Sequence, residues 1–162
     1  MLDKRNFYIN GKWVKPSKSN DFEVIDPSTE EPFAIISLGS IEDTDKAISA
    51  AKNAFETWRE SSKEKRLSLL EKFDQIYNRR WDEMVKAQST EMGAPLDYAS
   101  ETHTKMGADI SKNTIKILKD FNFEHQFDPK SNNHIRYEPI GVCGLITPWN
   151  FPMNQIVLKV IP

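Results

Sequence analysis

Apolar positions alternate with polar ones near the start of the chain, recur at helical spacing through its middle, and close up into short unbroken runs towards its end. Phe7-Tyr8-Ile9 and Lys12-Trp13-Val14 flank Asn10-Gly11. Both turn residues tolerate positive φ, so the spacing predicts a tight β-hairpin. Phe22 to Ile25 reads as a strand ending at the turn Asp26-Pro27-Ser28-Thr29, and Phe33 to Leu38 as the next strand. Ser40 followed by Asp43 predicts a helix start with an acidic N3 position. That helix runs to about Arg59 and carries an apolar stripe of Ala47, Ile48, Ala51, Ala54, Phe55 and Trp58.

Ser62 predicts the cap of a second helix, with Leu67, Leu70, Phe73, Tyr77, Trp81, Met84 and Val85 on its buried side. Gly93 and Pro95 break it. A third helix is expected from about Asp97 to Asp120, its apolar side formed by Met106, Ile110, Ile117 and Leu118 and extended by Phe121. Phe123 to Arg136 is polar and extended, with turns at Asp128-Pro129 and Asn132-Asn133. It reads as an exposed two-stranded ribbon, and by residues alone a surface loop and a pairing element are equally good accounts. Ile140 to Ile146 is an apolar run with two glycines, which predicts a strand buried on both faces. Thr147 to Pro152 is a turn stiffened by two prolines. The chain stops inside the run Ile156-Val157-Leu158-Lys159-Val160-Ile161-Pro162, which predicts a chain cut within an element.

Composition narrows the classes. Net charge is −2, from 22 basic and 24 acidic residues among 162. Neither nucleic acid nor an anionic membrane surface is an expected partner. The second helix carries Lys63, Lys65, Arg66, Lys72, Arg79 and Arg80 among aromatics, but Glu64, Glu71, Asp74, Asp82 and Glu83 neutralise that surface. The single cysteine, Cys143, excludes an internal disulfide and fits a reducing compartment. No apolar stretch is long enough for a signal peptide or a bilayer span, so a soluble cytoplasmic protein is expected.

Candidate chemistry concentrates at the end of the chain. Asn150 is an uncharged amide on a stiff loop after a predicted buried strand, a placement that suits an oxyanion-hole donor. The residues alone favour an asparagine that satisfies turn hydrogen bonds. Cys143 lies between Val142 and Gly144, so burial is expected to make it a structural cysteine with no reactive thiolate. His103, His125 and His134 have no metal-ligand spacing and are expected at the surface. There is no phosphate-binding Gly-rich loop.

The order Glu138-Pro139-Ile140-Gly141-Val142-Cys143-Gly144-Leu145-Ile146-Thr147-Pro148-Trp149-Asn150-Phe151-Pro152 resembles the NAD(P)-dependent aldehyde dehydrogenase superfamily. Tyr8-Ile9-Asn10-Gly11-Lys12-Trp13 and the Asp26-Pro27-Ser28-Thr29 turn support the resemblance. Glu91-Met92-Gly93-Ala94-Pro95 is similar to the family's Glu-Thr-Gly-Lys-Pro turn, departing from it at Met92 and Ala94. The resemblance covers the whole chain but only about the first third of the family's length.

The resemblance implies an α/β fold, the N-terminal part of the aldehyde dehydrogenase fold: a β-hairpin, three helices, an extended ribbon, and the first strand and helix of a Rossmann-like domain. Residues 1–122 would form the hairpin and helical part of the cofactor-binding domain. Residues 123–138 would be oligomerisation strands, and 139–162 the start of the NAD(P)-binding core. The implied reaction is oxidation of an aldehyde to a carboxylic acid with NAD or NADP through a cysteine thiohemiacetal and thioester. Asn150 carries the oxyanion role in that reading, which reverses the preference from the residues alone. Ile146, Thr147, Pro148 and Trp149 line the cofactor. Phe151, Gln155 and Leu158 stand near the aldehyde channel, and the backbones of Ile25 and Glu91 match a monovalent-cation position. Other subunits of a homodimer or tetramer are the implied protein partners. The family's nucleophile, base, cofactor-ribose lysine and Gly-rich loop fall beyond residue 162, as do the residues that select the aldehyde and distinguish NAD from NADP. The chain alone is therefore expected to be inactive and aggregation-prone. The alternative is a non-catalytic partner that pairs, through the 123–136 ribbon, with a full-length subunit or a separate C-terminal remainder. A free-standing helical binding module fits less well, since the apolar end would be left uncovered.

Overall fold

The computed structural model describes residues 1–162. Five strands come first: β1 (Leu2–Asp3), β2 (Phe7–Ile9), β3 (Lys12–Val14), β4 (Asp21–Asp26) and β5 (Glu31–Ser37). β2 and β3 form the expected hairpin, with Asn10 at φ 52° and Gly11 at φ 74° in the turn. Tyr8 faces Trp13 across it, their ring centroids 5.2 Å apart. β4 and β5 pair antiparallel around the Asp26 turn, and β1 adds in parallel to the other edge of β5. The strand β1 has too little apolar pattern to be seen in sequence.

Helix α1 (Ile41–Trp58) starts where the Ser40 cap places it. Asp43 closes a capping box and also ties the hairpin region to the helix. Its carboxylate accepts the backbone N–H groups of Ser17 (2.8 Å) and Ser40 (3.0 Å) and the hydroxyls of both (2.7 and 2.8 Å). The Ser40 backbone N–H, followed by the Ser17 hydroxyl and backbone, holds this carboxyl well below the usual carboxylate range. The folded state therefore binds the Asp43 proton less readily than the unfolded chain. Its contribution is full above the unfolded pKa of about 4 and is lost as pH falls below it. Asp43→Asn is expected to melt several degrees below wild type near neutrality, with the two melting curves converging below about pH 4. Circular dichroism melts across that range check this, and a constant gap down to acid pH would contradict it. The apolar stripe of α1 is present but poorly covered, with Ile48 and Trp58 exposed and Phe55 half-buried.

The second predicted helix is two helices, α2 (Lys63–Arg79) and α3 (Trp81–Met92). Arg80, at φ −99° and ψ 20°, breaks the path, its N–H shared between the carbonyls of Ile76 and Tyr77. No glycine or proline marks the spot. Ser62 caps α2, and Gly93 ends α3 at φ 70°, as expected. The third predicted helix also has more structure than its pattern gave. It comprises α4 (Leu96–Tyr98), a π-helical turn (Ala99–Thr104) and α5 (Lys105–Asp120). Its inward face is not the predicted Met106 and Ile117, which are exposed. Ala99, His103, Thr104, Gly107, Ala108 and Ser111 face inward instead. Small residues let neighbouring helices approach closely. Gly107 receives the Tyr77 hydroxyl from α2 and Val157 from α6 (Pro152–Val160). Tyr77, Ala108, Val157 and Ile161 make the core, with Phe73, Trp81 and Met153 against it. The Tyr77 hydroxyl donates to Thr104 O (2.9 Å), and burial pushes its pKa up to about 12.

β6 (Glu124–Gln126) and β7 (His134–Arg136) pair antiparallel as the expected ribbon, with only Ile135 half-buried. The Arg66 guanidinium stacks over Phe123 at 4.7 Å and anchors its base.

One predicted element is missing. Ile140 to Ile146 is not a buried strand. It is extended and exposed, with Ile140 93% and Ile146 88% accessible. Residues 138–150 make no backbone–backbone hydrogen bond. A strand apolar on both faces needs neighbours on both edges, and no strand of this chain lies beside it. No helix is long and apolar enough to cross a membrane.

Candidate active site

The extended segment leads into the loop Thr147–Phe151, which ends at the first turn of α6. Pro152 occupies that first turn, where a missing N–H costs nothing. Phe151 turns the chain into the helix at φ −143° and ψ 67°. Pro148 and Pro152 therefore brace the backbone on both sides of Asn150.

Asn150 is exposed. The side-chain hydrogen bonds nearest to it along the chain are Cys143 Sγ to Gly141 O and Lys159 Nζ to Gln155 Oε1. Its carboxamide is thus not spent on turn contacts, the alternative that the residues alone favoured. A free amide on a stiff corner can donate to an oxyanion that develops in front of it. Ile146 and Trp149, at 88% and 79% accessible, offer bare apolar surface beside it. Thr147 and Pro148 lie exposed between them, and the backbone groups of this stretch are unpaired. Phe151, Gln155 and Leu158 follow one another at helical spacing and share a side of α6. Phe151 and Gln155 are half-buried, Leu158 is exposed, and Gln155 accepts Lys159 Nζ at 2.7 Å.

Two expectations are corrected. Cys143 is exposed, not buried, because the segment carrying it has no covering strands. His103 is not a surface residue. It is 1% accessible, held between Tyr98 and Phe151 with ring centroids 5.0 and 4.4 Å away. Burial pushes its pKa down, so the ring is neutral near physiological pH. His103 lies in the π-helical turn and shares the inward face with Gly107 and Ser111 at i+4 and i+8. His125 and His134 are exposed as expected.

The ends of β4 and α3, which carry Ile25 and Glu91, come together. A Cβ on Gly93 would stand 3.0 Å from Pro27 Cγ. The Glu91 residue is more than a third accessible, yet desolvation of its carboxyl raises its pKa. No group of three or more His, Cys, Asp or Glu side chains is arranged for a metal ion. A concavity of about 730 Å³ lies between the end of α1, α2, α5 and residues 160–162. It is lined mainly by Trp58, Leu70, Phe73, Ile117 and Phe121, which offer packing but no reactive group. The loop around Asn150 is the better candidate because polar chemistry and apolar surface meet there.

The aldehyde dehydrogenase family profile matches residues 13–162. A 3-succinoylsemialdehyde-pyridine dehydrogenase from a Pseudomonas species is 44% identical over 163 residues, covering 100% of this chain and 34% of the relative. The crystal structure of an aldehyde dehydrogenase from Bartonella henselae superimposes with a TM-score of 0.97 at 52% identity, covering 99% of this chain and 34% of that one. Aldehyde dehydrogenase C from Pseudomonas syringae was solved as a mutant with NAD+ and octanal. It is 35% identical, with a TM-score of 0.93 over 97% of this chain and 32% of its own. The chain spans about a third of the length of the curated relatives it matches.

Proposed function

The chain belongs to the aldehyde dehydrogenase family, and from that premise we propose that it forms the N-terminal third of an NAD(P)+-dependent dehydrogenase that oxidises an aldehyde to a carboxylic acid. The carrying observation is the Asn150 carboxamide, exposed on a proline-braced corner and free of turn contacts. Such a donor is pre-aimed at charge that develops on a carbonyl oxygen under nucleophilic attack. In this reading Asn150 stabilises the oxyanion formed when a cysteine thiolate from the C-terminal two-thirds adds to the aldehyde. Once that adduct has given up its hydride and become a thioester, a base from that same part activates the water that releases the acid.

Ile146, Thr147, Pro148 and Trp149 would form one wall of the cofactor cleft. Their exposed apolar side chains and unpaired backbone groups suit a flat, amide-bearing ring. NAD or NADP, when bound, supplies the hydride acceptor. Phe151, Gln155 and Leu158 would line the aldehyde channel, and the backbones of Ile25 and Glu91 would hold a monovalent cation. Residues 1–122 would buttress the cofactor-binding core that starts at 139–162.

A second reading draws on the ribbon. β6 and β7 are almost wholly exposed and pair only with each other. Open strand edges recruit further strands. Residues 123–138 would then dock on another subunit of a homodimer or tetramer, even where this chain contributes no catalysis.

One experiment tests both readings. The chain is joined to, or mixed with, a C-terminal two-thirds of the family, such as that of the Pseudomonas relative; the product is called the assembled enzyme below. Reduced nicotinamide is followed by absorbance and assembly by size-exclusion chromatography. The dehydrogenase reading expects aldehyde-dependent turnover only when both parts are present. Co-elution without turnover would leave only the partner reading, and neither signal would sink both.

A further inference from the structure

The corner that presents Asn150 has one side-chain anchor. Ile146 and Trp149 stand in solvent, and the segment before them makes no backbone–backbone hydrogen bonds. Phe151 alone among the loop's aromatics packs inward, and its ring lies against the imidazole of His103 at 4.4 Å and 31°. We propose that His103 is a positioning residue: its buried imidazole, packed under Phe151, sets the loop angle at which Asn150 meets the reacting carbonyl. This rests on the oxyanion reading of Asn150 given above.

Three observations carry it beyond a core-filling role. His103 lies within the π-helical turn, a local departure from regular helix. Such turns occur frequently at functional sites. The imidazole is also a poor filler. It is 1% accessible and its Nδ1 has no hydrogen-bond partner, so the fold gains nothing from the polar atom. Asn154, in the first turn of α6, likewise buries an Oδ1 without a partner. On its far side Tyr98 packs edge-on to the imidazole at 5.0 Å, so the ring is clamped in one orientation. Burial keeps it uncharged, and a flat neutral ring stacks on Phe151 without placing a competing cation beside the oxyanion site.

The test is a double-mutant cycle in the assembled enzyme, read as kcat/KM for an aliphatic aldehyde at saturating NAD+. His103→Ala removes the anchor and is expected to lower kcat/KM about 10- to 100-fold, the scale of a misplaced catalytic group. His103→Phe keeps a ring of similar reach and is expected to recover activity to within about threefold of wild type. NAD+ affinity stays unchanged in both. In an Asn150→Ala background, His103→Ala is expected to cost less than about threefold, because there is no longer an amide to aim. If His103→Ala folds poorly, His103→Leu enters the same cycle under the same criterion. Equal losses from the His103 substitution in both backgrounds would overturn the proposal, as would a well-folded His103→Phe no better than His103→Ala. Wild-type activity in Asn150→Ala alone would overturn the oxyanion reading, and this inference with it.

Discussion

Asn150→Ala in the assembled enzyme is expected to lower kcat/KM for the aldehyde on the order of 100- to 1000-fold, the usual loss on removing one oxyanion-hole donor. The physical basis is local. The amide sits on a backbone braced at Pro148 and Pro152, so it does not reorganise when negative charge appears. It makes no bond to the turn, so its removal leaves no unpaired partner in the fold. Thermal stability and NAD+ affinity should therefore stay close to wild type while turnover collapses. Asn150→Asp tests the sign of the interaction. It keeps the shape but places an acceptor of like charge against the developing oxyanion, and should be no better than alanine. Steady-state kinetics with a melting curve for each variant checks all of this. A variant that loses stability in proportion to activity would return Asn150 to the role of a turn residue.

Gly107→Ala has the largest expected effect on the fold. The added methyl would overlap the Tyr77 hydroxyl and lie 3.4 Å from Val157 Cγ2, at the point where α2, α5 and α6 meet. Overpacking of this kind costs about 1–3 kcal/mol. Displacing Tyr77 also breaks its hydrogen bond to Thr104 O, worth about 1 kcal/mol. The better helix propensity of alanine returns about 1 kcal/mol. The net is a loss of about 2 kcal/mol, or roughly 4–8 °C in Tm for a chain of this size. Tyr77→Phe removes the clashing oxygen, so the double variant should melt higher than Gly107→Ala alone. Additive losses in the double variant would show that the methyl and the hydroxyl do not compete for one space.

The hairpin β2–β3, the strands β4 and β5 and the cap of α1 were legible because their signals are local. Asn10-Gly11 dictates its own turn, and Ser40 with Asp43 dictates a helix start whatever lies around it. The break at Arg80 and the π-helical turn were not legible, since neither carries a glycine, a proline or a change of apolar period. The surface expectation for His103 rested on its lack of metal-ligand spacing, which says nothing of burial, although it stands at helical spacing from the inward Gly107 and Ser111. The apolar faces of α5 were misjudged for a related reason. Close helix approach is made by Gly107, Ala108 and Ser111, which a search for large apolar residues passes over. The strand expected at Ile140–Ile146 failed in a different way. Its composition is that of a central strand, but strand structure depends on partners, and this chain has none to offer it. Asn150 was legible only through the order of residues around it. Its amide type and loop setting fit a turn as well as they fit catalysis.

Amide hydrogen exchange over residues 139–150 tests most directly whether this segment is half of a site completed from outside the chain. The amides of Val142 to Ile146 should exchange at near-random-coil rates in the isolated chain, which gives them no backbone partners. In the assembled enzyme they should slow by at least about 100-fold as neighbouring strands pair with them. Protection already present in the isolated chain would contradict the reading, and so would a catalytically active assembly in which these amides remain unprotected.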